Sequence, residues 1–182
     1  MGLNEAERSE LLAVARRTLE LYLSSGKTPA IETAAAALLE RCGAFVTLHR
    51  GPHLRGCIGT FEARDTLIDT VQRMAVAAAS SDPRFSAVKA DELEGITLEI
   101  SALTPLRPAG AEEIEVGTHG IFITRGYSRG VLLPQVATEN GWDRETFLEH
   151  TCLKAGLPPD AWKEPGTKIE IFSAEVFSER HR

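Results

Sequence analysis

Residues 95–103 read Gly95-Ile96-Thr97-Leu98-Glu99-Ile100-Ser101-Ala102-Leu103, with apolar Ile96, Leu98, Ile100 and Ala102 alternating against polar Thr97, Glu99 and Ser101. A period of two sends successive side chains to opposite faces of a strand, so one face meets a core and the other carries polar groups. Upstream, Phe45 to His49 and Leu54 to Thr60 form two more strand patterns around Arg50-Gly51-Pro52, which has the residues of a hairpin turn. Downstream, Ile121 to Thr124 and Gly130 to Leu133 flank Arg125-Gly126-Tyr127-Ser128 in the same way. The stretch Lys168 to Phe177 alternates again, with Ile169, Ile171, Ser173, Glu175 and Phe177 on one side. Short hairpin connections join antiparallel neighbours, so the fold class is α+β: an antiparallel sheet packed with helices.

The helices announce themselves by capping and by a wider period. From Asn4 to Ser25, Leu11, Leu12, Ala15, Leu19, Tyr22 and Leu23 share a helical face, Asn4 and Glu7 have capping-box spacing, and Gly26 follows the end. Leu67, Ile68, Val71, Met74, Ala75 and Ala78 hold one face of a second helix, with Thr66 and Asp69 at its start and Pro83 forcing its end. Trp142 to Ala155 reads as a helix closed by Gly156 and Pro158. The alanine-rich stretch Ile31 to Arg41 fits either state, because Thr28-Pro29 and Gly43 punctuate both sides.

With 182 residues and no linker rich in Gly, Ser or Pro, the chain is one domain or two subdomains packed together. Twenty Lys and Arg against twenty-six Asp and Glu leave a charge of −6, which disfavours nucleic acid and other long polyanions as partners. The longest apolar runs, Ala34 to Leu39 and Met74 to Ala79, are six residues each, against the roughly 20 of a membrane span. Charged Glu5, Glu7, Arg8 and Glu10 stand where a secretory signal has its apolar stretch, so a cytoplasmic location is expected. Cys42, Cys57 and Cys152 show no CxxC spacing, and reduced thiols follow.

The densest chemistry lies in His49-Arg50-Gly51-Pro52-His53-Leu54-Arg55-Gly56-Cys57-Ile58-Gly59-Thr60. Gly56 and Gly59 flank a cysteine inside a strand, where glycine marks a bulge or a close approach to the backbone. Positive charge of the kind supplied by His53 and Arg55 favours a thiolate, the nucleophilic form, so Cys57 is the candidate catalytic residue; burial as a small apolar side chain is the competing reading. In Asp82-Pro83-Arg84-Phe85 the proline fixes a turn that either aims Arg84 at a carboxylate or phosphate, or is itself locked by an Asp82–Arg84 hydrogen bond. Glu99 stands on the polar face of its strand, as a base, a ligand or a solvated residue. Gln135, after Pro134 at a helix start, offers an amide to an anion or a carbonyl. Arg55, Arg84, Glu99, Gln135, Gly56 and Gly59 thus form the expected substrate-binding set for a small anionic ligand. His49 and His119 have no partner at metal-ligand spacing, so no metal is indicated. Cys152 shares a face with Phe147, Leu148 and Ala155, which places it in a core. Phosphate-loop, dinucleotide and serine-elbow motifs are absent from the chain.

Leu54-Arg55-Gly56-Cys57-Ile58-Gly59-Thr60, Ser81-Asp82-Pro83-Arg84-Phe85, Glu99-Ile100-Ser101 and Gly130-Val131-Leu132-Leu133-Pro134-Gln135-Val136 together resemble the AMME chromosomal region protein family, whose prokaryotic members are called AmmeMemoRadiSam system protein A. The likeness continues through Gly141-Trp142 and Cys152-Leu153-Lys154-Ala155-Gly156-Leu157, with the first forty residues least alike. The resemblance implies an α+β fold with an antiparallel sheet, a smaller and mostly helical part, and a groove between them. It also implies a Memo-like protein and a radical S-adenosylmethionine protein as partners, and it names neither a reaction nor a cofactor. Two functions are compatible with these residues: an enzyme whose groove holds a small anion beside Cys57, and a non-catalytic adaptor for those two partners.

Overall fold

The computed structural model describes residues 2–179, and the chain divides into two compact units. The first takes the described residues up to Leu103 together with those from Glu175 onward; the second is Thr104–Ala174.

The first unit begins with α1 (Glu5–Ser25), held at its start by the Asn4–Glu7 capping box and closed by Gly26 in the left-handed region at φ 73°. After it come β1 (Ala44–Arg50), β2 (His53–Thr60), α2 (Leu67–Ser80) and β3 (Ile96–Leu103). The strands pair antiparallel in the order β2-β1-β3. Leu11, Ala15 and Leu19 of α1 and Leu67, Val71 and Ala75 of α2 pack into one core with Val46, Leu48, Leu98 and Ile100 of the sheet. The alanine-rich stretch settles as extended chain leading to a 3₁₀ turn at Ala36–Leu39, in which Leu38 is buried. Alanine favours a helix but gives it no apolar stripe to bury, so one leucine anchor decides the outcome.

Arg16 of α1 stitches this unit. Its guanidinium donates to both oxygens of Glu179 and to the carbonyls of Leu93 (3.0 Å) and Ile96 (2.7 Å). Glu179 is tied to β3 as well, through hydrogen bonds in both directions with the Leu98 backbone at 2.9 Å. Glu175 accepts from the Leu3 N–H at 3.0 Å and pairs with Arg8.

The second unit contains β4 (Arg107–Pro108), β5 (His119–Arg125), β6 (Ser128–Leu132), α3 (Pro134–Asn140), α4 (Arg144–Lys154) and β7 (Lys168–Ser178), whose last residues, Glu175–Ser178, belong to the first unit. β5 pairs antiparallel with both β6 and β7, and β4 adds to β7. Strands therefore stand beside helices here in comparable measure, less helical than the family resemblance implies, because the period-two pattern of residues 168–174 and the hairpin around Gly126-Tyr127 both fold as strand. Helix α4 closes on the sheet where Gly130 has no side chain: a Cβ there would come closer than 3.0 Å to the Ala155 nitrogen and the Thr151 carbonyl oxygen. Cys152 is buried in this core with Phe147, Leu148 and Ile171. Among the described residues no helix is long and apolar enough to cross a membrane.

Candidate functional site

The geometry around Cys57 follows from a slip in the β1–β2 ladder. Arg50 pairs with His53 and His49 with Leu54, but Leu48 then pairs with Gly56 and Thr47 with Cys57. Arg55 is the unopposed residue of a β-bulge. A regular ladder from the same turn would set Cys57 opposite Val46, whose side chain is buried in the core. The bulge turns Cys57 over to the face shared with Thr47, and turns Gly56 inward. Gly56 is needed there because a Cβ would come closer than 3.0 Å to the Ala78 carbonyl oxygen of α2. Gly59 is covered by the Phe45 ring, which a Cβ would also strike. The space at both glycines is filled by the protein itself.

β2 is the end strand of its sheet in this unit, so the outward N–H and C=O of Cys57 need partners. The turn after α2 supplies them. Asp82 accepts from the Cys57 N–H at 2.8 Å, and Arg84 Nη2 donates to the Cys57 carbonyl at 3.3 Å. Arg84 also donates to Asp82 from Nε (3.0 Å) and Nη2 (2.7 Å), with its backbone N–H adding a bond at 3.1 Å. The Asp82–Arg84 lock considered from sequence therefore forms, and it clamps one motif to the other. Arg84 keeps an exposed edge, its side chain being 55% exposed, whereas the Asp82 side chain is 1% exposed. Arg84, with the Cys57 N–H, holds the buried Asp82 carboxyl well below the usual carboxylate range.

Arg55 is spent on the same loop. It donates from Nε and Nη2 to Glu92, each at 3.0 Å, and to the carbonyls of Ser86 (2.9 Å) and Ala87 (3.4 Å). As the bulge residue it does not follow the two-residue alternation that would pair it with Cys57, and its fork is committed to Glu92. Arg84, not Arg55, is the guanidinium bonded to the cysteine's own peptide. Hydrogen bonds from Arg55 and from the Lys89 N–H lower the Glu92 pKa to about 2.

Both carboxylates are depressed on folding, so the stability they add is complete above about pH 5 and is lost as the pH falls from there towards 2. Urea unfolding of the native protein and of Glu92→Gln checks this. The variant's deficit should be largest near pH 6 and shrink steadily below pH 4.5, the ordinary Glu value. A deficit unchanged between those pH values would remove Glu92 from the acid response.

On the open face, register places Cys57, Thr47 and Glu99 in one cross-strand row. The Thr47 hydroxyl donates to Cys57 Sγ at 3.2 Å, and His49 Nε2 lies 3.9 Å from Glu99 Oε1. Sequence reasoning missed Thr47, Asp82 as the backbone anchor, and Glu92. Thr47 was recoverable only from register, Asp82 only from the packing of the turn after α2 against β2, and Glu92 carries no motif. Cys57 is half-buried, whereas Cys42 and Cys152 are buried. Burial, with Glu40 nearby, pushes the Cys42 thiol up to about 11, and burial pushes Cys152 up too. Gln135 lies in the first turn of α3 in the second unit, its carbonyl accepting from the Thr138 hydroxyl at 2.9 Å. His119, in the same unit, accepts at Nδ1 from the Glu115 N–H. No group of three or more His, Cys, Asp or Glu side chains among the described residues is placed to hold a metal.

A protein of Methanothermobacter thermautotrophicus is 43% identical, with 97% of this chain and 96% of that one covered. A Methanocaldococcus jannaschii protein is 44% identical, over 91% and 86%. The crystal structure of an uncharacterised Pyrococcus horikoshii protein superposes with a TM-score of 0.81 at 40% identity, covering 94% of this chain and 91% of that one. The AMMECR1 family model matches residues 12–177, and the chain belongs to the AMMECR1 family.

Proposed function

We propose that the open face of the first unit's sheet is the site of a cytoplasmic enzyme acting on a small anionic substrate, with Cys57 as its nucleophile. The observation that carries this reading is the cross-strand row: a cysteine turned outward by a bulge, a threonine hydroxyl 3.2 Å from its sulfur, and a carboxylate next in line. Neighbouring strands lie about 4.8 Å apart, so Glu99 is roughly 10 Å from Cys57 and too far to take its proton directly; the Thr47 hydroxyl, donating to the sulfur, orients it, and the thiol proton leaves to solvent at the open face. The exposed edge of Arg84 holds the substrate's negative charge, as a planar fork suits carboxylate or phosphate. Arg55, Gly56 and Gly59 keep the frame in shape, and Gln135 is not needed for this chemistry.

Native-state labelling with iodoacetamide, read by mass spectrometry, tests the reading. Cys57 should be modified at least about tenfold faster than Cys42 or Cys152, which are buried and protonated at neutral pH. Thr47→Val should slow that labelling while leaving the unfolding midpoint within a few degrees. Equal, slow modification of all three thiols would sink the nucleophile. The clamp between the two motifs would then be a device of the fold alone, and an adaptor for a Memo-like and a radical S-adenosylmethionine protein would be the better account.

A further inference from the structure

The loop that seats Arg55 also walls a cavity of about 460 Å³, within the roughly 300–1,000 Å³ range of small-molecule sites. Arg50, Arg55, Lys89, Glu92, Phe85 and Ser86 line it, with Asp91 at the side; Cys57 does not. Its charges are uneven in both number and freedom. Three cations face two carboxylates, and Glu92 already accepts two bonds from Arg55 and one from the Lys89 N–H. Arg55 and Glu92 are largely buried, with side chains 14% and 17% exposed, so they form a fixed floor. Arg50 reaches Glu92 only at 3.6 Å and is 63% exposed, a contact weak by both length and exposure. Lys89 is exposed and has no ion pair among the described residues. Two exposed cations, Arg50 and Lys89, therefore line the cavity above the Arg55–Glu92 pair, with Asp91 and the Phe85 ring beside them.

We propose that this cavity binds the phosphate of a small phosphomonoester. Arg50 swings from Glu92 to the phosphate, Lys89 closes from the other side, and Arg55 keeps Glu92 from following. Arg50 and Lys89 offer donors to two of the phosphate's three terminal oxygens while, with Asp91 counted, the lining keeps a net charge of +1. Phe85 offers an apolar wall to the organic part of the ester. An overall charge of −6 keeps a long polyanion away while leaving this local field in place. The site is independent of the Cys57 chemistry.

Thermal unfolding of the full chain with adenosine 5′-monophosphate, inorganic phosphate, adenosine, acetate, or sodium chloride at matched ionic strength tests the proposal. The nucleotide and phosphate should raise the midpoint in a saturable way, and the other three should not. A nucleotide bound more tightly than phosphate places the organic part on Phe85; equal affinity makes the phosphate group alone the ligand. The pair Arg50→Ala with Lys89→Ala should weaken binding at least about tenfold while leaving the unliganded midpoint near native, since both side chains are exposed. Cys57→Ala should bind as the native protein does, which separates this site from the thiol. No phosphate-dependent shift at about 10 mM, or an undiminished shift in the double variant, would overturn the proposal.

Discussion

Replacing Asp82 by Ala should lower the unfolding free energy by about 3 kcal/mol, seen as a lower urea midpoint at unchanged slope. The side chain is 1% exposed and serves three donors: the Cys57 N–H, the Arg84 N–H and the Arg84 guanidinium. Removing it strands the Cys57 N–H at the sheet edge and takes the counter-charge from Arg84, and stranded buried donors carry the full penalty of lost hydration. Arg84→Ala should lose far less, about 1 kcal/mol, because its side chain is 55% exposed and water can take over its bonds. The order of the two variants is the decisive readout. If Arg84→Ala were the more damaging, the clamp would be held by the cation and not by the buried carboxylate.

Gly56→Ala should be at least as harmful, about 3 kcal/mol, lowering the thermal midpoint by about 6–12 °C. The atom that a new methyl would strike, closer than 3.0 Å, is the backbone oxygen of Ala78 in α2, which cannot turn aside without moving the helix off the sheet. Gly56 has no left-handed backbone, so the penalty is purely steric and runs against the usual gain from replacing a strand glycine. Gly59→Ala should cost a comparable amount, because a Cβ there would meet both the Phe45 ring and, closer than 3.0 Å, the backbone carbonyl oxygen of Ala44 in β1. No loss at Gly56 would mean that α2 does not rest on the strand in the way described.

Most of the strands and the capped helices were legible because their signals are local: the Ile96–Leu103 alternation, the Asn4–Glu7 box and the Thr66 cap each fix an element without outside help. The site was not legible in the same way. Which face Cys57 occupies depends on a single extra residue at Arg55: Gly56 signals a bulge or a close backbone approach but does not choose between them. Counting from the Gly51-Pro52 turn would have sent the thiol into the core. The partner of Arg55 was equally hidden, because Glu92 lies 37 residues away and only the returning loop after α2 brings the two together. Asp82 and Arg84, two positions apart at a proline turn, were the exception: short range made their mutual lock foreseeable, although not its grip on Cys57.

The fastening of Leu3, Arg8 and Arg16 to Glu175 and Glu179 bears on how the molecule comes into being on a ribosome. Thr104–Ala174 is contiguous and can condense as soon as it emerges, whereas the first unit waits for partners up to 172 positions downstream of residues made at the outset. Closing so long a loop is entropically slow, so the first unit should reach its final state only after synthesis is nearly complete. Until then Arg16 lacks the carboxylate of Glu179 and Leu3 the acceptor of Glu175, while the α1 core contacts with residues up to Leu103 can already form. A released chain ending at Ala174 should accordingly resist protease over residues 104–174 and be cut more readily within α1 than the full chain is.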